Sequence, residues 1–492
     1  MLEFKPSIFQ RVIFHNVKNK KNNIIIDAVA GSGKTTTIVK AMDFIPPYKK
    51  VLFCAFNNHI VKTLKERAPS YVDVSTMHSI GWKAMMEYYG KPKLNEYKTY
   101  NIAEKVLHHI PKNQRFNYFY NLRRIIDLYR QNLVQDEKDL WELCAKHDVI
   151  ASTTEMEDAY KVMFLMLENT TEFDFTDMVF MPAVNEDIIL PTYDVVFADE
   201  VQDFNAAQHA LLKRLVRKNG RLITVGDPNQ SIYGFAGADT DGFQKIRKWT
   251  NTTKLPLSVS YRCAKNIVRE AQTIVKKIKY SENSPEGSFR EGSVMEIRYG
   301  DWVLCRNVKP LVILCLDMLR KGKKAHIKGN DIGKSIIHLL EQMKENDKMQ
   351  ALKKLDERKK DLKKKLSNFG VFDPDKHPMV IALSEKISII EFMGKQLPSI
   401  KAIIHKLKKI FSDEVEGIML STIHKAKGLE NDRVFLICPE LIPSRFAHQP
   451  WQIKQEMNLK YVAITRAKKE FIIVKDFSLK KEKDETKQLE LF

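Results

Sequence analysis

Two short stretches carry the residue types needed to hold and split a nucleoside triphosphate: AVAGSGKT at 28–35 and VVFADEVQD at 195–203. In the first, Gly31 and Gly33 let the backbone wrap a phosphate, so that several N–H groups and a helix N-terminus point at it. Ala30, Ser32 and Thr36 complete the loop, Lys34 brings charge to the β and γ phosphates, and Thr35 offers a hydroxyl to magnesium. The first position of the usual glycine pattern is Ala28 here. In the second stretch an apolar run ends in acids. A phosphate-loop enzyme needs one carboxylate at such a strand end to fix magnesium and another to orient the attacking water. Asp199 is assigned to the metal and Glu200 to the general base. Asp203 reads instead as a cap for a helix beginning near Phe204. Gln202 has no charge for a metal, yet it can bridge hydrogen bonds between this triphosphate site and whatever the protein moves on.

These residues need a scaffold of parallel strands. NIIID, KVLFCAFNN, YDVVFADE and GRLITVGD read as strands of one sheet, with a helix beginning at Thr35 or Thr36. Continuous β-branched runs between helical stretches imply a sheet covered on both faces. GDWVLCRN, KKAHIKGN, GIMLSTIHKAKG, DRVFLICPE and EFIIVKDF repeat the style without a phosphate loop. The expected fold class is α/β with two such cores, each carrying a mainly helical insertion. The expected divisions are 1–84 and 176–250 for the first core with 85–175 inserted, and 251–334 and 416–477 for the second with 335–415 inserted. In the second insertion Leu352, Leu355, Leu362 and Leu366 keep a three-four spacing before Gly370. The lysine run around them reads either as a solvated face or as a phosphate-backbone contact.

At 492 residues the chain is long enough for several domains. Its +20 net charge favours a polyanionic partner without distinguishing DNA from RNA or an acidic surface. The six cysteines have no zinc-like spacing and read as buried small hydrophobes. No run is long and apolar enough to span a bilayer, and MLEFKPSIFQ has no apolar signal core, so a cytoplasmic protein is expected. Residues 478–492 read as a flexible charged tail.

Nine stretches in order resemble superfamily 1 helicases of the UvrD, Rep and PcrA type: FQ at 9–10, AGSGKT at 30–35, FCAFNN at 53–58, STMHSIG at 75–81, DEVQD at 199–203, GDPNQSIYGFAGA at 226–238, SYR at 260–262, STIHKAKGLE at 421–430 and YVAITRAKK at 461–469. The resemblance implies two RecA-like cores with ATP and Mg2+ between them and single-stranded DNA across their top. By matching position, Gln10 would read adenine and Tyr261 stack on it, although SIFQ is also a capping box. Gln230, Arg262 and Arg466 would approach the γ-phosphate, the bland alternative for Arg466 being a helix-surface arginine. Gly428 would allow close approach and Glu430 accept a ribose hydroxyl. Phe56, Tyr233 and Phe235 are candidates for base stacking, with core packing the rival for Tyr233. Asn57, His78 and His424 would meet the DNA backbone, unless the histidines are simply structural.

The expected function is an ATP-dependent helicase moving 3′ to 5′ on single-stranded DNA, with a translocase that mainly strips proteins as the alternative. A helicase-nuclease subunit is not expected, because too little chain follows YVAITRAKK. The terminal QLELF, with Gln488, Leu489, Leu491 and Phe492, resembles the peptide that docks bacterial replication proteins onto the sliding clamp; a terminus folded back on the core is the alternative. A bacterium or its phage is the expected source.

Overall fold

The computed structural model describes residues 5–55, 58–147, 149, 151–232, 234, 242–249, 251–368, 373–412 and 416–477. Two units are distinguished, Met1–Val259 and Ser260–Phe492. The first is built on six strands: β1 (Asn23–Ala28), β2 (Val51–Ala55), β3 (Val72–Thr76), β4 (Tyr193–Ala198), β5 (Val216–Gly226) and β6 (Thr252–Leu257). Their order is β3-β2-β4-β5-β1-β6, with every pairing parallel. All of β2, and all of β1 after Asn23, is buried, as a sheet covered on both faces requires.

On one face α1 (Ile8–Asn19) and α2 (Lys34–Met42) place Ile13, Val17, Ile38 and Met42 against Ile24, Ile26 and Phe53 of the sheet. Between β3 and β4 come α3 (Met77–Tyr89), α4 (Lys98–Val106), α5 (Lys112–Asn132), α6 (Glu137–Lys146), α7 (Thr153–Glu168) and α8 (Asp177–Val184). Helix therefore extends beyond both ends of the expected 85–175. Inside this region Arg130 meets Asp174 at 2.8 Å and Asp177 at 3.2 Å, and Lys98 meets Asp177 at 2.8 Å. A buried set like this costs desolvation and is strongly destabilised when one partner is removed, so it ties α4, α5 and the start of α8 to one arrangement. Helix α9 (Ala206–Arg214) follows β4.

The first unit ends at Val259 rather than at the expected 250, because β6 pairs along β1 from Asn23↔Thr252 to Ala28↔Leu257. The sequence TTKLPL hides this strand behind a lysine and a proline. Proline is tolerated because β6 is an edge strand, whose free side needs no N–H.

The second unit has β7 (Ser288–Gly292), β8 (Trp302–Cys305), β9 (Ala325–Ile327), β10 (Ile418–Thr422), β11 (Asn431–Ile437) and β12 (Ala467–Val474). They are ordered β7-β12-β11-β8-β10-β9, again all parallel. Helix α10 (Val308–Arg320) joins β8 to β9. Helices α11 (Asn330–Met343), α12 (Lys348–Asn368), α13 (Pro378–Gln396) and α14 (Ile400–Ile410) lie between β9 and β10, and α15 (Pro450–Ile464) precedes β12. Most of the inserted helices share the core of the sheet, while Leu362, Leu366 and Val380 form a small cluster of their own. Ile336, Leu355, Met393, Ile403 and Leu407 share one apolar cluster with Val303, Leu420 and Phe435 of the sheet. Leu355, Leu362 and Leu366 are buried on α12 and Leu352 packs against the cluster, as their spacing requires; Gly370 lies outside the described residues.

All six cysteines are buried. Burial pushes the thiols of Cys54 and Cys315 up to about 12 and that of Cys144 to about 11, as expected of small hydrophobes. Among the described residues no helix is long and apolar enough to cross a membrane.

Candidate nucleotide site and nucleic-acid contacts

The phosphate loop joins β1 to α2. Ala28 is the last residue of β1, in extended backbone that any residue adopts, so its side chain is accepted where the usual pattern has glycine. Gly31 and Gly33 have φ of 69° and 77°, in the left-handed region that glycine enters without strain. Gly33 is the N-cap of α2, which begins at Lys34, just ahead of the expected start. The hydroxyl of Ser32 donates to the Val29 carbonyl at 2.8 Å, and that of Thr37 to the Gly33 carbonyl at 2.8 Å. Thr36 is half-buried in the same turn. The capping-box reading of Gln10 is borne out. Its Oε1 accepts from the Ser7 N–H in a capping box, while its Nε2 donates to Thr37 Oγ1 at 3.0 Å. The glutamine is thereby fixed against the first turn of α2.

Beyond β4, the two acids face two residues of the phosphate loop. Thr35 Oγ1 donates to Asp199 Oδ2 at 3.0 Å, and Lys34 Nζ lies 2.9 Å and 3.0 Å from the two oxygens of Glu200. Glu200 has φ of 54°, costly for a residue with a Cβ, and its N–H donates back to Asp199 Oδ1 at 2.8 Å. Gln202 joins this group to the next strand end. Its Nε2 donates to Glu200 Oε2 at 2.5 Å, and its Oε1 accepts the Asp227 N–H at 3.0 Å. Asp227 in turn accepts from Gln230 Nε2 at 2.8 Å. A Cβ added to Gly226 would stand 2.5 Å from Gln202 Oε1, so glycine there makes room for the bridge.

Asp203 is not the helix cap. A short 3-10 turn, Val201–Asp203, intervenes, and Asn205 caps α9 in a capping box with Gln208. Asp203 instead accepts from Gln202 Nε2 at 3.3 Å.

Burial, then the neighbouring Glu200 charge, raises the Asp199 carboxyl to about 6. Burial alone would lower Lys34, but Glu200, Asp199 and Asp227 together hold it above its ordinary value. A buried carboxylate beside a hydroxyl fits a hard divalent cation, which prefers oxygen ligands. Among the described residues no cluster of three or more His, Cys, Asp or Glu side chains forms a cage. Magnesium keeps several waters and is usually held by one or two carboxylates together with substrate phosphates, and the Thr35 hydroxyl beside the Asp199 carboxylate fits that kind of ligand set.

A folded-state pKa raised above 3.8 means that the folded protein binds more protons than the unfolded chain between about pH 4 and 6, so ionising Asp199 costs stability as pH rises through that window. Asp199→Asn removes this cost. In metal-free thermal melts the stability advantage of the variant over wild type is expected to open between pH 4 and 6, and a gap that does not change with pH would refute the assignment.

In the second unit, by itself, Arg262, Glu430 and Arg466 are neighbours. Arg262 Nε forms an ion pair with Glu430, and its Nη1 donates to the Thr465 carbonyl at 3.3 Å. Arg466 is only 1% exposed, which removes the helix-surface alternative. Its Nε donates to the Val462 carbonyl at 3.0 Å and its Nη1 to the Leu429 carbonyl at 2.8 Å. Tyr261 is exposed, and Gly428 is exposed with a left-handed backbone.

Of the expected DNA contacts, Phe56, Asn57, Tyr233 and Phe235 lie outside the described residues, as do Gln488, Leu489, Leu491 and Phe492. His78, on α3, lines a small cleft with Gln131, Phe175, Thr176, Asn205 and Gln208. The sequence did not bring these together, because the partners come from three separate segments; the one local signal is Phe175, an aromatic left 49% exposed. Burial holds His78 below its ordinary pKa. Burial, with Arg306 and Lys427, holds His424 at about 3. Both rings are therefore neutral near pH 7 and can offer a phosphate a hydrogen bond but not a charge.

Comparisons with known proteins agree across both units. The UvrD/REP helicase N-terminal domain model matches residues 11–251, and the UvrD-like helicase C-terminal domain model matches 417–474. The chain is 25% identical to F-box DNA helicase protein 1 of Schizosaccharomyces pombe, over 94% of this chain and 57% of that protein. It is 26% identical to a probable DNA helicase II homolog of Mycoplasma capricolum, over 54% of this chain and 41% of that one. It is also 26% identical to the ATP-dependent DNA helicase PcrA of Staphylococcus aureus, over 63% and 45%. The matches span about half the length of these relatives. With a phosphate loop facing paired acids in the first unit, a second parallel-sheet unit later in the chain and family models matching in both, the chain belongs to the UvrD/Rep family of superfamily 1 helicases.

Proposed function

We propose that the chain is an ATP-dependent DNA translocase and helicase that moves 3′ to 5′ on single-stranded DNA and opens duplex at junctions during replication, repair or recombination. The observation that carries this reading is the hydrogen-bonded series from Lys34 through Glu200, Gln202 and Asp227 to Gln230, within a member of this family. An enzyme that only hydrolysed ATP would have no use for a bridge leading out of its acid pair.

In this reading the loop N–H groups and Lys34 hold the β and γ phosphates, and Glu200 accepts a proton from the attacking water. Thr35 and Asp199 would hold magnesium, which when bound neutralises developing phosphate charge. Gln10 and Tyr261 would contact adenine, Glu430 the ribose beside Gly428, and Gln230, Arg262 and Arg466 the γ-phosphate. For Arg262 and Glu430 this means giving up the pair they form with each other. Base stacking falls to Phe56, Tyr233 and Phe235, and backbone hydrogen bonds to Asn57, His78 and His424; Phe175 beside His78 adds an aromatic surface of the kind that stacks on bases.

The test is the ATPase rate with and without single-stranded DNA, followed by unwinding of 3′-tailed and 5′-tailed duplexes. Stimulation by DNA with unwinding only from 3′ tails is expected. Stimulation without unwinding would favour the protein-stripping translocase, and an ATPase indifferent to DNA would defeat both.

Gln202→Ala tests the bridge. It leaves the buried Asp227 N–H without its acceptor, a cost of about 1–3 kcal/mol. Basal ATPase is expected to persist while DNA stimulation falls; unchanged stimulation would remove the coupling role. A cytoplasmic setting in a bacterium or phage-infected cell, and clamp docking through QLELF, complete the proposal. Truncation after Lys487 should abolish clamp pull-down and leave ATPase intact.

A further inference from the structure

The lysine run of α12 is the conspicuous basic feature of the sequence, yet many of its charges are met internally. Lys354 pairs with Glu345, Lys360 with Asp356 at 2.8 Å and Lys363 with Asp375 at 2.5 Å. Lys348 donates to the carbonyls of Gly394 and Leu397 at 2.9 Å and 3.2 Å, closing the end of α13.

Helix α14 differs. Its sequence, IKAIIHKLKKI, contains no acid. Ile400, Ile403, Leu407 and Ile410 are buried, whereas Lys401, His405, Lys408 and Lys409 are exposed. At roughly 100° per residue, Lys401, His405 and Lys408 fall within about 60° of one another, with Lys409 about 40° further round. None of the three lysines pairs with an acid among the described residues. Lys408 and Lys409 have a local rationale, since cations suit the carbonyl end of a helix. Lys401 has the opposite situation: it sits in the first turn, where the helix dipole disfavours a cation, and no acid offsets it. Local helix energetics therefore do not account for Lys401, nor for its alignment with Lys408.

We infer that the exposed face of α14 binds the sugar-phosphate backbone of DNA. From Lys401 to Lys408 the stripe runs about 10 Å, enough to meet roughly three successive phosphates of one strand. Its apolar side belongs to the same core as the second sheet, and Phe411 bridges to Ile327 at the end of β9, so the contact is carried rigidly by that sheet. The inference rests on the proposed action on DNA but names a surface that none of the nine matching stretches contains.

The test compares the full chain with K401Q/K408Q/K409Q, and with K354Q/K360Q/K363Q on α12 as the self-paired control. Dissociation constants for a single strand of about 20 nucleotides and a duplex of about 20 base pairs are measured between roughly 50 and 200 mM salt. Losing three phosphate contacts should lower the slope of log affinity against log salt by about two to three on at least one substrate, because each contact contributes ~0.7–0.9. The substrate affected says whether the strand held is single or paired. The control triple should leave the slope near wild type, and ATPase without DNA should not change in either. An undiminished slope in the α14 triple, with wild-type DNA binding intact, overturns the stripe alone. Equal losses from both triples point to diffuse charge and overturn it too. A wild-type chain that binds no DNA overturns the functional reading and the stripe together.

Discussion

Glu200→Gln is expected to lower ATP turnover by about 10²- to 10⁴-fold, the range associated with a positioned general base, while ATP remains bound. Glutamine keeps the shape of the side chain and can still meet Gln202, but it cannot take the proton. Lys34 should bind phosphate at least as well as before, because in wild type its ammonium is shared with both oxygens of Glu200 at 2.9 Å and 3.0 Å. Removing the Glu200 charge also relieves one of the two causes that raise Asp199. Single-turnover hydrolysis together with equilibrium nucleotide binding would check this. Turnover near the wild-type rate would defeat the general-base assignment.

Lys34→Ala should fail differently. It removes the cation that three carboxylates share, those of Glu200, Asp199 and Asp227, and with it the charge proposed to hold the β and γ phosphates. Nucleotide affinity should drop, and turnover at saturating ATP should fall by about 10²- to 10³-fold, as when a donor to developing charge is lost. The protein without nucleotide should melt earlier at neutral pH, and the deficit should shrink as pH falls toward 6, where Asp199 takes up a proton. Retained affinity, or a deficit that grows in acid, would contradict this account. The two variants thus separate binding from chemistry within one ion pair.

What the sequence made legible was local. The phosphate loop, the acids after β4 and the capping box at Ser7 depend on residues within a few positions of one another, and each stands where spacing put it. The helix start after DEVQD was misplaced because Val201–Asp203 takes a 3-10 turn; NAAQ, with Asn205 and Gln208, carried the better cap signal. Strand β6 was missed because its lysine and proline are typical of an edge, not of the buried runs that mark central strands. The far partners were not legible at all. Nothing near Gln202 announces that its carbonyl meets the backbone of Asp227, and nothing near His78 announces Phe175. Charge was similarly illegible: Lys354 and Lys363 of the longer run meet Glu345 and Asp375, acids from outside the helix that approach only on folding, while Lys401, Lys408 and Lys409 of the shorter run on α14 meet no acid among the described residues.

The burial of every cysteine has a practical consequence for following this protein at work. The thiolate is the form that maleimides and iodoacetamides attack; all six thiols are shut away from such reagents, and burial holds those of Cys54, Cys144 and Cys315 at about 11 to 12, where almost no thiolate forms. A single cysteine introduced on the exposed side of α12 should therefore accept a fluorophore selectively in the otherwise native chain, with no need to strip out the six natural ones.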